Sequence, residues 1–353
     1  MKRILIEATR QYEVLIERGL LSRAGELTLG IHAPCRVAII TDDVVEQLYC
    51  DTAAASLEGA GYEVCRFAFP SGEMSKNLGT YESILNFLAD SGITRNDIIV
   101  ALGGGVVGDL AGFAAASYLR GIEFIQIPTT YLAAVDSSVG GKTGLNLSAG
   151  KNLSGAFYQP ILVLIDCDTF KTLPEERFAD GAAETIKYGA IADKALFETM
   201  EAGIANANVD EIVLRCIQIK AQFVAEDEFD NGVRRLLNFG HTFGHAIESC
   251  SGYAVSHGYA VGIGMLMAAR AARSRGLCGE DCERRIANVL EKHNLPLESE
   301  YGAQELAAVM LGDKKRRGNT ISLILPERIG LCRVHDAPIS ELGAFVSSAV
   351  GED

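Results

Sequence analysis

The sequence predicts an α/β protein: an N-terminal domain with a parallel sheet, residues 1–175, followed by a mainly α-helical domain, residues 176–353. Three observations support this prediction. Short apolar runs alternate with helical patterns in the first half, which is typical of a parallel sheet covered on both faces. A triple glycine, 103–105, directly follows one of these runs. Beyond about residue 175 helical periodicity takes over, and three of the six histidines fall within 241–257.

Five apolar runs of the first domain are predicted as strands, with helices between them. The strands cover 36–42, 62–68, 97–102, 123–128 and 161–166. The helices cover 44–59, 81–91 and 107–118. The segment 129–160 is rich in Gly, Ser and Asn, and loops of this length in a compact domain are usually functional. We therefore predict a long functional loop there.

Helices make up most of the second domain. They are predicted at 191–202, 210–227, 234–249, 258–275, 281–292 and 304–311. A shorter helix-like run, 182–187, contains Glu184. The extended segments 320–325 and 331–335 are predicted to form a small hairpin.

The composition excludes several classes of protein. Hydrophobic residues make up 48% of the 353 residues, which is enough for a sizeable core. The net charge of −14 argues against a nucleic-acid binder, because phosphates require a basic surface. No uncharged apolar run reaches the roughly 18 residues of a membrane span. The nine scattered cysteines suit free thiols in a reducing compartment, so we expect a cytoplasmic protein.

The glycine-rich segment after the third predicted strand suits a dinucleotide. Gly103, Gly105 and Gly108 have the G-x-G-x-x-G spacing, and the following helix N-terminus favours negative charge. Asp42, after an earlier strand, either accepts a ribose hydroxyl or caps the next helix. The Gly-Lys-Thr that contains Lys142 is not a complete P-loop, so an ATPase is disfavoured.

Imidazole and carboxylate groups in the second half of the chain indicate a metal site. His241 and His245 are four residues apart and share a helix face, and His257 follows a segment that can fold back on that helix. With Glu184 they form a ligand set typical of catalytic zinc. The spacing leaves two alternatives open: both His241 and His245 are ligands, or one is a ligand and the other an acid–base group.

Basic side chains in or near these segments suit an anionic small molecule, since a local cluster of cations can reverse the overall charge within one site. They are Arg120, Lys142, Lys151, Lys187, Lys220, Arg234, Lys314 and Lys315. Lys187 is three residues from Glu184 on the same helix face, which places it near the predicted metal.

The ordered motifs of the chain resemble those of the 3-dehydroquinate synthase family over nearly its whole length. They are GGGVVGD at 103–109, IPTT at 127–130, VDSSVGGK at 135–142, GKN at 150–152, GAFYQP at 155–160, TLP at 172–174, AE at 183–184, IKYG at 186–189, LNFGHTFGH at 237–245 and HG at 257–258. The resemblance implies a Rossmann-like domain, a helical metal-binding domain, tightly held NAD, one divalent ion (zinc or cobalt) and a homodimer.

The resemblance also implies roles for individual residues. The metal ligands would be Glu184, His241 and His257. The NAD contacts would be Asp42, Ser71, Gly72, Glu73, Met74, Ser75, Lys76, Gly105, Val106, Val107, Gly108, Asp109, Thr129, Thr130, Lys142, Lys151, Thr169, Phe170, Lys171 and Thr172. The substrate contacts would be Asp136, Lys142, Asn152, Lys187, Lys220, Arg234, Asn238, His245 and one of Lys314 or Lys315. Arg120 would reach in from the neighbouring subunit.

The implied reaction converts 3-deoxy-D-arabino-heptulosonate 7-phosphate to 3-dehydroquinate and phosphate in the shikimate pathway. Transient oxidation by NAD would acidify a neighbouring proton, phosphate would leave, and re-reduction, ring opening and an intramolecular aldol step would follow. The protein would chiefly hold geometry and anionic charge. His245 would assist proton transfer or orient the phosphate.

Two positions depart from the family pattern. Tyr259 stands where the family usually has Glu, and Ala134 stands where it usually has Gln. Neither departure removes an implied ligand. Three alternatives share the architecture: sugar-phosphate cyclases acting on other substrates, metal-dependent polyol dehydrogenases, and a binding protein without catalysis. The cluster of basic residues disfavours the polyol enzymes, because an uncharged polyol needs no anion pocket.

Overall fold

The computed structural model describes residues 1–205, 208–311, 316–317 and 319–351. The chain forms two compact units. The first comprises Met1–Leu173 and Lys220–Phe229, and the second comprises Pro174–Ile219 and Asp230–Asp353. The predicted domains, 1–175 and 176–353, remain a prediction.

The first unit is built on a seven-stranded sheet with the order β1-β2-β9-β6-β5-β3-β4. Its strands are β1 (Lys2–Ile6), β2 (Tyr12–Ile16), β3 (Arg36–Asp42), β4 (Glu63–Phe69), β5 (Ile98–Gly103), β6 (Glu123–Pro128) and β9 (Leu162–Ile165). All neighbouring pairs are parallel except the edge pair β1–β2, which is antiparallel. The predicted fold class, a parallel-sheet α/β domain with a mainly helical second part, is confirmed.

Helices cover both faces of this sheet. They are α1 (Ala24–Leu29), α2 (Asp43–Val45), α3 (Asp51–Gly59), α4 (Leu78–Asp90) and α5 (Gly105–Ser117). Successive residues of a strand point to opposite faces. Val37 on β3 therefore belongs to the core cluster with α3, whereas its neighbour Ala38 belongs to the cluster with α4 and α5. Burial on both faces explains why these strands are apolar throughout.

The N-terminal hairpin of β1 and β2 was not predicted. Its two strands have five residues each, and β2 joins the rest of the sheet by pairing with β9, where each residue is 149 positions after its partner (Ile16 with Ile165). Such a long-range pairing leaves no local signal. The strand that leads into the triple glycine is therefore the fifth strand of the chain and not the third.

The prediction of one long loop over 129–160 was wrong, because most of this segment has regular secondary structure. A π-helical turn covers Ala133–Ser137, and an antiparallel hairpin is formed by β7 (Lys142–Leu147) and β8 (Gly150–Phe157). Gly144 pairs with Gly155, and a Cβ on Gly155 would lie 2.0 Å from the carbonyl oxygen of Thr143. The glycines thus permit two backbones to approach closely and do not signal an irregular loop.

The second unit consists mainly of helices. They are α6 (Glu175–Ala192), α7 (Lys194–Ala202), α8 (Val209–Glu226, of which 220–226 belongs to the first unit), α9 (His241–Cys250), α10 (His257–Ser274), α11 (Glu280–Lys292), α12 (Ala303–Leu311) and α13 (Leu342–Val350). The predicted hairpin is confirmed as β11 (Thr320–Arg328) paired with β12 (Leu331–Pro338), with a short β10 (Arg316–Arg317) beside β11.

The single predicted helix 234–249 was wrong. The chain forms a 3₁₀ turn, Val233–Asn238, and then starts α9 at His241 after Gly240, whose φ is +79°. A Cβ at Gly240 would also lie 2.7 Å from the carbonyl oxygen of Val261 on α10. Close packing against α10 and a left-handed backbone therefore break the helix at this glycine. Among the described residues, none of the helices is both long and apolar enough to cross a membrane.

Candidate functional site

Three side chains of the second unit converge as a candidate metal centre: Glu184 on α6, His241 on α9 and His257 on α10. Their ligand atoms all lie within 4.8 Å of one another. Oε1 of Glu184 is 3.5 Å from Nε2 of His241 and 3.3 Å from Nε2 of His257. The structure thus brings together the three residues that the resemblance implies as metal ligands.

Close helix packing places these side chains. A Cβ on Gly264 of α10 would lie 2.1 Å from the carbonyl oxygen of Gly240, just before α9. A Cβ on Gly258 of α10 would lie 2.3 Å from the Cα of Asp180 on α6. Each glycine therefore allows α10 to approach a neighbouring helix more closely than a side chain would permit. His257, the first residue of α10, directly precedes Gly258 and the close contact with α6.

Asp180 fixes the start of α10 from a neighbouring helix. Its Oδ1 accepts hydrogen bonds from Ser256 Oγ at 2.6 Å and from the amide of Gly258 at 3.0 Å. Asp180 and Glu184 are one turn apart on α6. This helix therefore carries one candidate metal ligand, Glu184, and also the residue that anchors the helix start at which a second candidate, His257, lies. Burial raises the pKa of Asp180, and the hydrogen bond from Ser256 opposes that rise.

The electrostatics of the set favour a cation. Glu184 is fully buried, and neither of its carboxylate oxygens has a well-aligned hydrogen-bond donor among the described residues. It forms a close ion pair with Lys187. Burial alone would lower the pKa of His257, but Glu184 and Glu248 outweigh it and raise that pKa to about 10. A buried carboxylate beside two imidazoles fits Zn²⁺ or Co²⁺.

His245 lies beside this set but groups with different partners. Its ring centroid is 5.5 Å from that of His241 and 6.2 Å from that of His257. Its Nε2 lies 4.0 Å from Oε2 of Glu248, and these two residues form a second group with His257. The i,i+4 spacing left open whether both histidines are ligands, and the structure groups His241 with Glu184 and His245 with Glu248.

Cations of the second unit are unusually buried. Lys187 and Arg234 are each only 1% exposed, and Asn238 ends the same 3₁₀ turn that contains Arg234. Full burial of a cation is costly unless anionic or hydrogen-bonding partners compensate it. Lys314 and Lys315 lie outside the described residues.

In the first unit, the predicted nucleotide loop joins β5 to α5. Gly104 occupies the N-cap position of α5, and Gly105 begins the helix. The first amides of a helix lack intrahelical acceptors and suit a phosphate. Packing also requires the glycines: a Cβ on Gly108 would lie 2.9 Å from Oε1 of Gln126. Val106, Val107 and the two threonines that follow β6, Thr129 and Thr130, flank this turn.

A polar network around buried Lys76, beside α5, joins several predicted NAD and substrate residues. Lys76 forms a close ion pair with Asp109 and donates to Oδ1 of Asn152 at 2.6 Å. Asn146, which the sequence reasoning missed, donates to Glu73 at 2.7 Å and accepts from the amide of Asn152 at 2.9 Å. Burial raises the pKa of Asp109, against the charge of Lys76.

The β7–β8 hairpin contributes to this network. Lys151 lies 3.7 Å from Glu73. Asn152 has φ of +54°, a left-handed conformation that Asn tolerates better than most residues. Lys142, at the start of β7, has an exposed side chain. Lys76 therefore joins Asp109 to Asn152 directly, and Glu73 connects Lys151 to the same network through Asn146. Lys142 lies on the same hairpin.

Two other predicted residues of the first unit pair with each other. Lys220 is buried, forms a close ion pair with Asp136 and donates to the carbonyl oxygen of Asp136 at 2.6 Å. Asp136 belongs to the π-helical turn, a rare element that is frequent at functional sites. Arg120 is exposed and has φ of +70°.

The remaining predicted NAD contacts occupy two further segments. Asp42 caps α2 by accepting hydrogen bonds from the amides of Val44 and Val45, so its capping role is observed. The segment 71–75 follows β4, with Gly72 at φ of +109° and Met74 83% exposed. The 3₁₀ turn that holds Thr169, Phe170, Lys171 and Thr172 contacts Tyr49, whose hydroxyl donates to the carbonyl oxygen of Thr169 at 3.0 Å.

Sequence reasoning missed two carboxylates of the metal centre, Asp180 and Glu248. Glu248 is seven residues after His241 and three after His245, so the helical period places all three on one face of α9. Asp180 is four residues before Glu184 on α6. The helical spacing was therefore a usable signal for both. Tyr259, one of the two departures, is partly buried, and Ala134 is fully buried in the π-helical turn.

Comparison with known proteins matches both halves of the chain to one family. A family model described as 3-dehydroquinate synthase N-terminal matches residues 66–180, and one described as 3-dehydroquinate synthase C-terminal matches residues 181–316. A 3-dehydroquinate synthase from Streptococcus suis (strain 05ZYH33) is 47% identical over 342 residues, covering 95% of this chain and 96% of the relative. One from Enterococcus faecalis (strain ATCC 47077 / OG1RF) is 43% identical over 358 residues, covering 99% and 100%.

Solved structures of related cyclases share the fold. A 2-deoxy-scyllo-inosose synthase in complex with carbaglucose-6-phosphate, NAD⁺ and Co²⁺ has a TM-score of 0.88 at 26% identity, covering 98% of this chain and 99% of that chain. A 2-epi-5-epi-valiolone synthase from Streptomyces hygroscopicus subsp. jinggangensis with NAD⁺ and Zn²⁺ bound has a TM-score of 0.88 at 27% identity, covering both chains fully. The resemblance seen in the motifs and the predicted enzyme function are thus confirmed, and the chain belongs to the 3-dehydroquinate synthase family.

Proposed function

We propose that the chain carries out the family's reaction with the residues described above. It converts 3-deoxy-D-arabino-heptulosonate 7-phosphate to 3-dehydroquinate and phosphate, using NAD and one divalent ion, zinc or cobalt. The observation that carries the proposal is the convergence of buried Glu184 with His241 and His257, in a chain 47% identical to a 3-dehydroquinate synthase.

Glu184, His241 and His257 would bind the ion through one carboxylate oxygen and two imidazole nitrogens. When bound, a divalent ion supplies Lewis acidity toward the hydroxyl groups of a sugar. Three protein ligands are the number typical of catalytic zinc sites, in which substrate or water completes the coordination. The support comes from the chemistry of the three ligand groups and from the convergence of their ligand atoms within 4.8 Å of one another.

The β5–α5 turn would bind the pyrophosphate of NAD, with residues 71–76, Asp109, Thr129, Thr130, Lys151 and 169–172 around it. When bound, NAD supplies a reversible hydride acceptor, so the overall reaction needs no external oxidant or reductant. Lys76 would hold Asp109, Asn152 and thus the β7–β8 hairpin in place beside the cofactor. The two cyclase neighbours with NAD⁺ in their structures support this assignment.

Buried cations would bind the carboxylate and phosphate of the substrate. Lys187 and Arg234 would stabilise oxyanions, and the planar guanidinium suits bidentate contacts. Within the first unit, Lys220 would keep Asp136 oriented toward substrate. His245 would move a proton or orient the leaving phosphate, because a nearby imidazole not used as a ligand can still change protonation state.

The other proposed contacts to substrate are Lys142, Asn152, Asn238 and one of Lys314 or Lys315. We further propose a cytoplasmic homodimer in which Arg120 serves the neighbouring subunit. The left-handed backbone at exposed Arg120 supports that proposal, since strained non-glycine residues cluster at functional sites.

Phosphate release tests the proposed reaction. The purified chain, with NAD and Zn²⁺, should release phosphate from the heptulosonate phosphate without accumulating NADH. Chelation should abolish release, and added Zn²⁺ or Co²⁺ should restore it. Glu184→Gln should remain inactive at any metal concentration tested.

Three outcomes would contradict the proposal. Phosphate release that is unaffected by chelation would show that the reaction does not need a metal ion. Release only from another sugar phosphate would point to a different cyclase activity. Accumulation of NADH with a polyol would point to a dehydrogenase.

A further inference from the structure

Glu248 is a buried carboxylate of the metal centre to which the proposed mechanism gives no task. It is 1% exposed and lies on α9, one face of which carries His241, His245 and Glu248. A buried carboxylate costs free energy unless polar partners compensate it. The position of Glu248 therefore calls for a role that uses its negative charge or its acceptor oxygens.

The ring of His257 lies between two carboxylates. Its Nε2 is 3.3 Å from Oε1 of Glu184, and its Nδ1 is 3.5 Å from Oε1 of Glu248. The other oxygen of Glu248, Oε2, lies 4.0 Å from Nε2 of His245. One carboxylate thus faces a metal-ligand candidate and a non-ligand histidine at the same time.

The two nitrogens of an imidazole have different tasks at a metal. When Nδ1 carries the proton and donates it to a carboxylate, Nε2 keeps its lone pair for the ion, and the ring orientation is fixed. Glu248 faces Nδ1 of His257, the nitrogen opposite the one that points toward Glu184. The geometry therefore matches a carboxylate–histidine–metal arrangement.

We propose that Glu248 is a positioning residue that orients His257 as a metal ligand through Nε2 and restrains His245 beside it. This inference rests on the proposed function, because it assumes that Glu184, His241 and His257 bind a divalent ion. It adds a determinant of metal affinity that lies outside the ligand set. Loss of such a carboxylate typically weakens metal binding about 10- to 100-fold.

The test measures Zn²⁺ affinity without turnover, by competition with a chromophoric chelator, on the purified full-length chain. Glu248→Ala should weaken Zn²⁺ binding about 10- to 100-fold relative to the unaltered chain. Glu248→Gln should weaken binding less, because its side-chain carbonyl can still accept the proton of Nδ1. Far-UV circular dichroism and urea denaturation should show that both variants are folded.

Glu201→Ala is the matched control. Glu201 also lies in the second unit, where its carboxylate pairs with Arg285 at 2.7 and 2.6 Å. Its removal should lower stability but leave Zn²⁺ affinity unchanged. Co²⁺ provides a second readout: its visible d–d absorption should change in Glu248→Ala, partly recover in Glu248→Gln and stay unaltered in Glu201→Ala.

The outcomes separate this inference from the proposed function. If the unaltered chain binds no Zn²⁺, the proposed metal centre itself is wrong. If the unaltered chain binds Zn²⁺ and Glu248→Ala binds it equally, with an unchanged Co²⁺ spectrum, Glu248 has no positioning role. If the chain binds two Zn²⁺ ions and Glu248→Ala loses one completely, Glu248 is itself a ligand with His245 and His257, and the inference is overturned.

Discussion

Glu184 and Lys187 are one helical turn apart on α6, and both are almost completely buried. Arg234, on another segment of the same unit, is also 1% exposed. Two buried cations and one buried carboxylate are more costly than apolar residues of similar size, even when paired. Their retention is consistent with a site that binds an ion and an anionic substrate, since active sites commonly sacrifice stability for function.

At the residue scale, the two histidines of α9 should respond differently to substitution. His241→Asn should lose the divalent ion, because Nε2 of His241 faces Glu184. His245→Asn should keep the ion but lower kcat by about 10²- to 10⁴-fold, the usual contribution of an acid–base group. Metal content by atomic absorption and phosphate release at saturating Zn²⁺ check both. Equal metal loss in the two variants would make His245 a ligand.

At the element scale, the start of α10 decides where His257 lies. Asp180 accepts from Ser256 and from the amide of Gly258, on either side of His257 in sequence. A carboxylate near a helix N-terminus also interacts favourably with the helix dipole. The packing of α6 and α10 thus connects helix stability to the metal centre.

Asp180→Ala should lower stability by about 0.5–2 kcal/mol, as expected for a lost cap. It should also weaken Zn²⁺ binding, because the first turn of α10 loses its anchor. Asp193→Ala is the control: Asp193 caps α7 by accepting from the amide of Leu196. Both variants should denature at lower urea concentrations, but only Asp180→Ala should bind Zn²⁺ more weakly. If Asp180→Ala binds Zn²⁺ as tightly as the unaltered chain, the hydrogen bonds of Asp180 to the start of α10 do not affect the metal centre.

The start of β5 depends on a single carboxylate. Asp97 accepts from the amide of Arg36 at 2.9 Å and from the amide and hydroxyl of Thr94 at 2.6 and 2.7 Å. Burial would raise the pKa of Asp97, but these hydrogen bonds and the charge of Arg36 outweigh it and lower that pKa. The ionised carboxylate therefore stabilises the junction of β3 and β5.

The stabilisation by Asp97 should depend on pH. A lowered folded-state pKa gives a contribution that is present above the unfolded-state pKa and is lost as the pH falls through the folded-state value. Asp97→Asn should cost about 1–3 kcal/mol at neutral pH. The difference from the unaltered chain should shrink below about pH 4. Urea denaturation across this range checks it, with exposed Asp90→Asn as control; a difference independent of pH would exclude the ionised form.

At the scale of the whole molecule, two units provide two kinds of binding chemistry. The parallel sheet of the first places the β5–α5 glycine turn and the Lys76 network at strand ends, where ligands of open α/β sheets commonly bind. The helices of the second bring Glu184, His241 and His257 together. The homodimer and the contribution of Arg120 to its neighbour are proposals at this scale.

Subunit mixing tests whether Arg120 acts across a dimer. Arg120→Ala and Glu184→Ala should each be nearly inactive alone. Heterodimers of the two would contain one site with both groups intact, so random 1:1 reassembly should recover about a quarter of the activity of the unaltered dimer. Phosphate release after refolding the mixture measures this recovery. No recovery from mixed dimers of verified composition would place Arg120 in its own subunit's site.

The sequence by itself determined the α/β class, the residue types of the metal set and the family motifs. Periodicity and spacing are local properties: the i,i+4 separation of His241 and His245 fixes a shared helix face, and apolar runs fix buried strands. The glycine turn before α5 was also predictable, because the spacing of its glycines is a local property of the sequence. The order of the motifs then identified the family resemblance, which implies metal, NAD and substrate roles for individual residues.

Only the tertiary structure decided features that depend on distant partners. The β1–β2 edge is completed by β9, and the hairpin β7–β8 requires Gly144 and Gly155 to face each other across two strands. Gly240 ends a helical pattern because α10 packs against it. Likewise, the supporting carboxylates Asp180 and Glu248 acquire their candidate roles from atoms on neighbouring helices. Local propensity contains no information about these neighbours, so packing decided them.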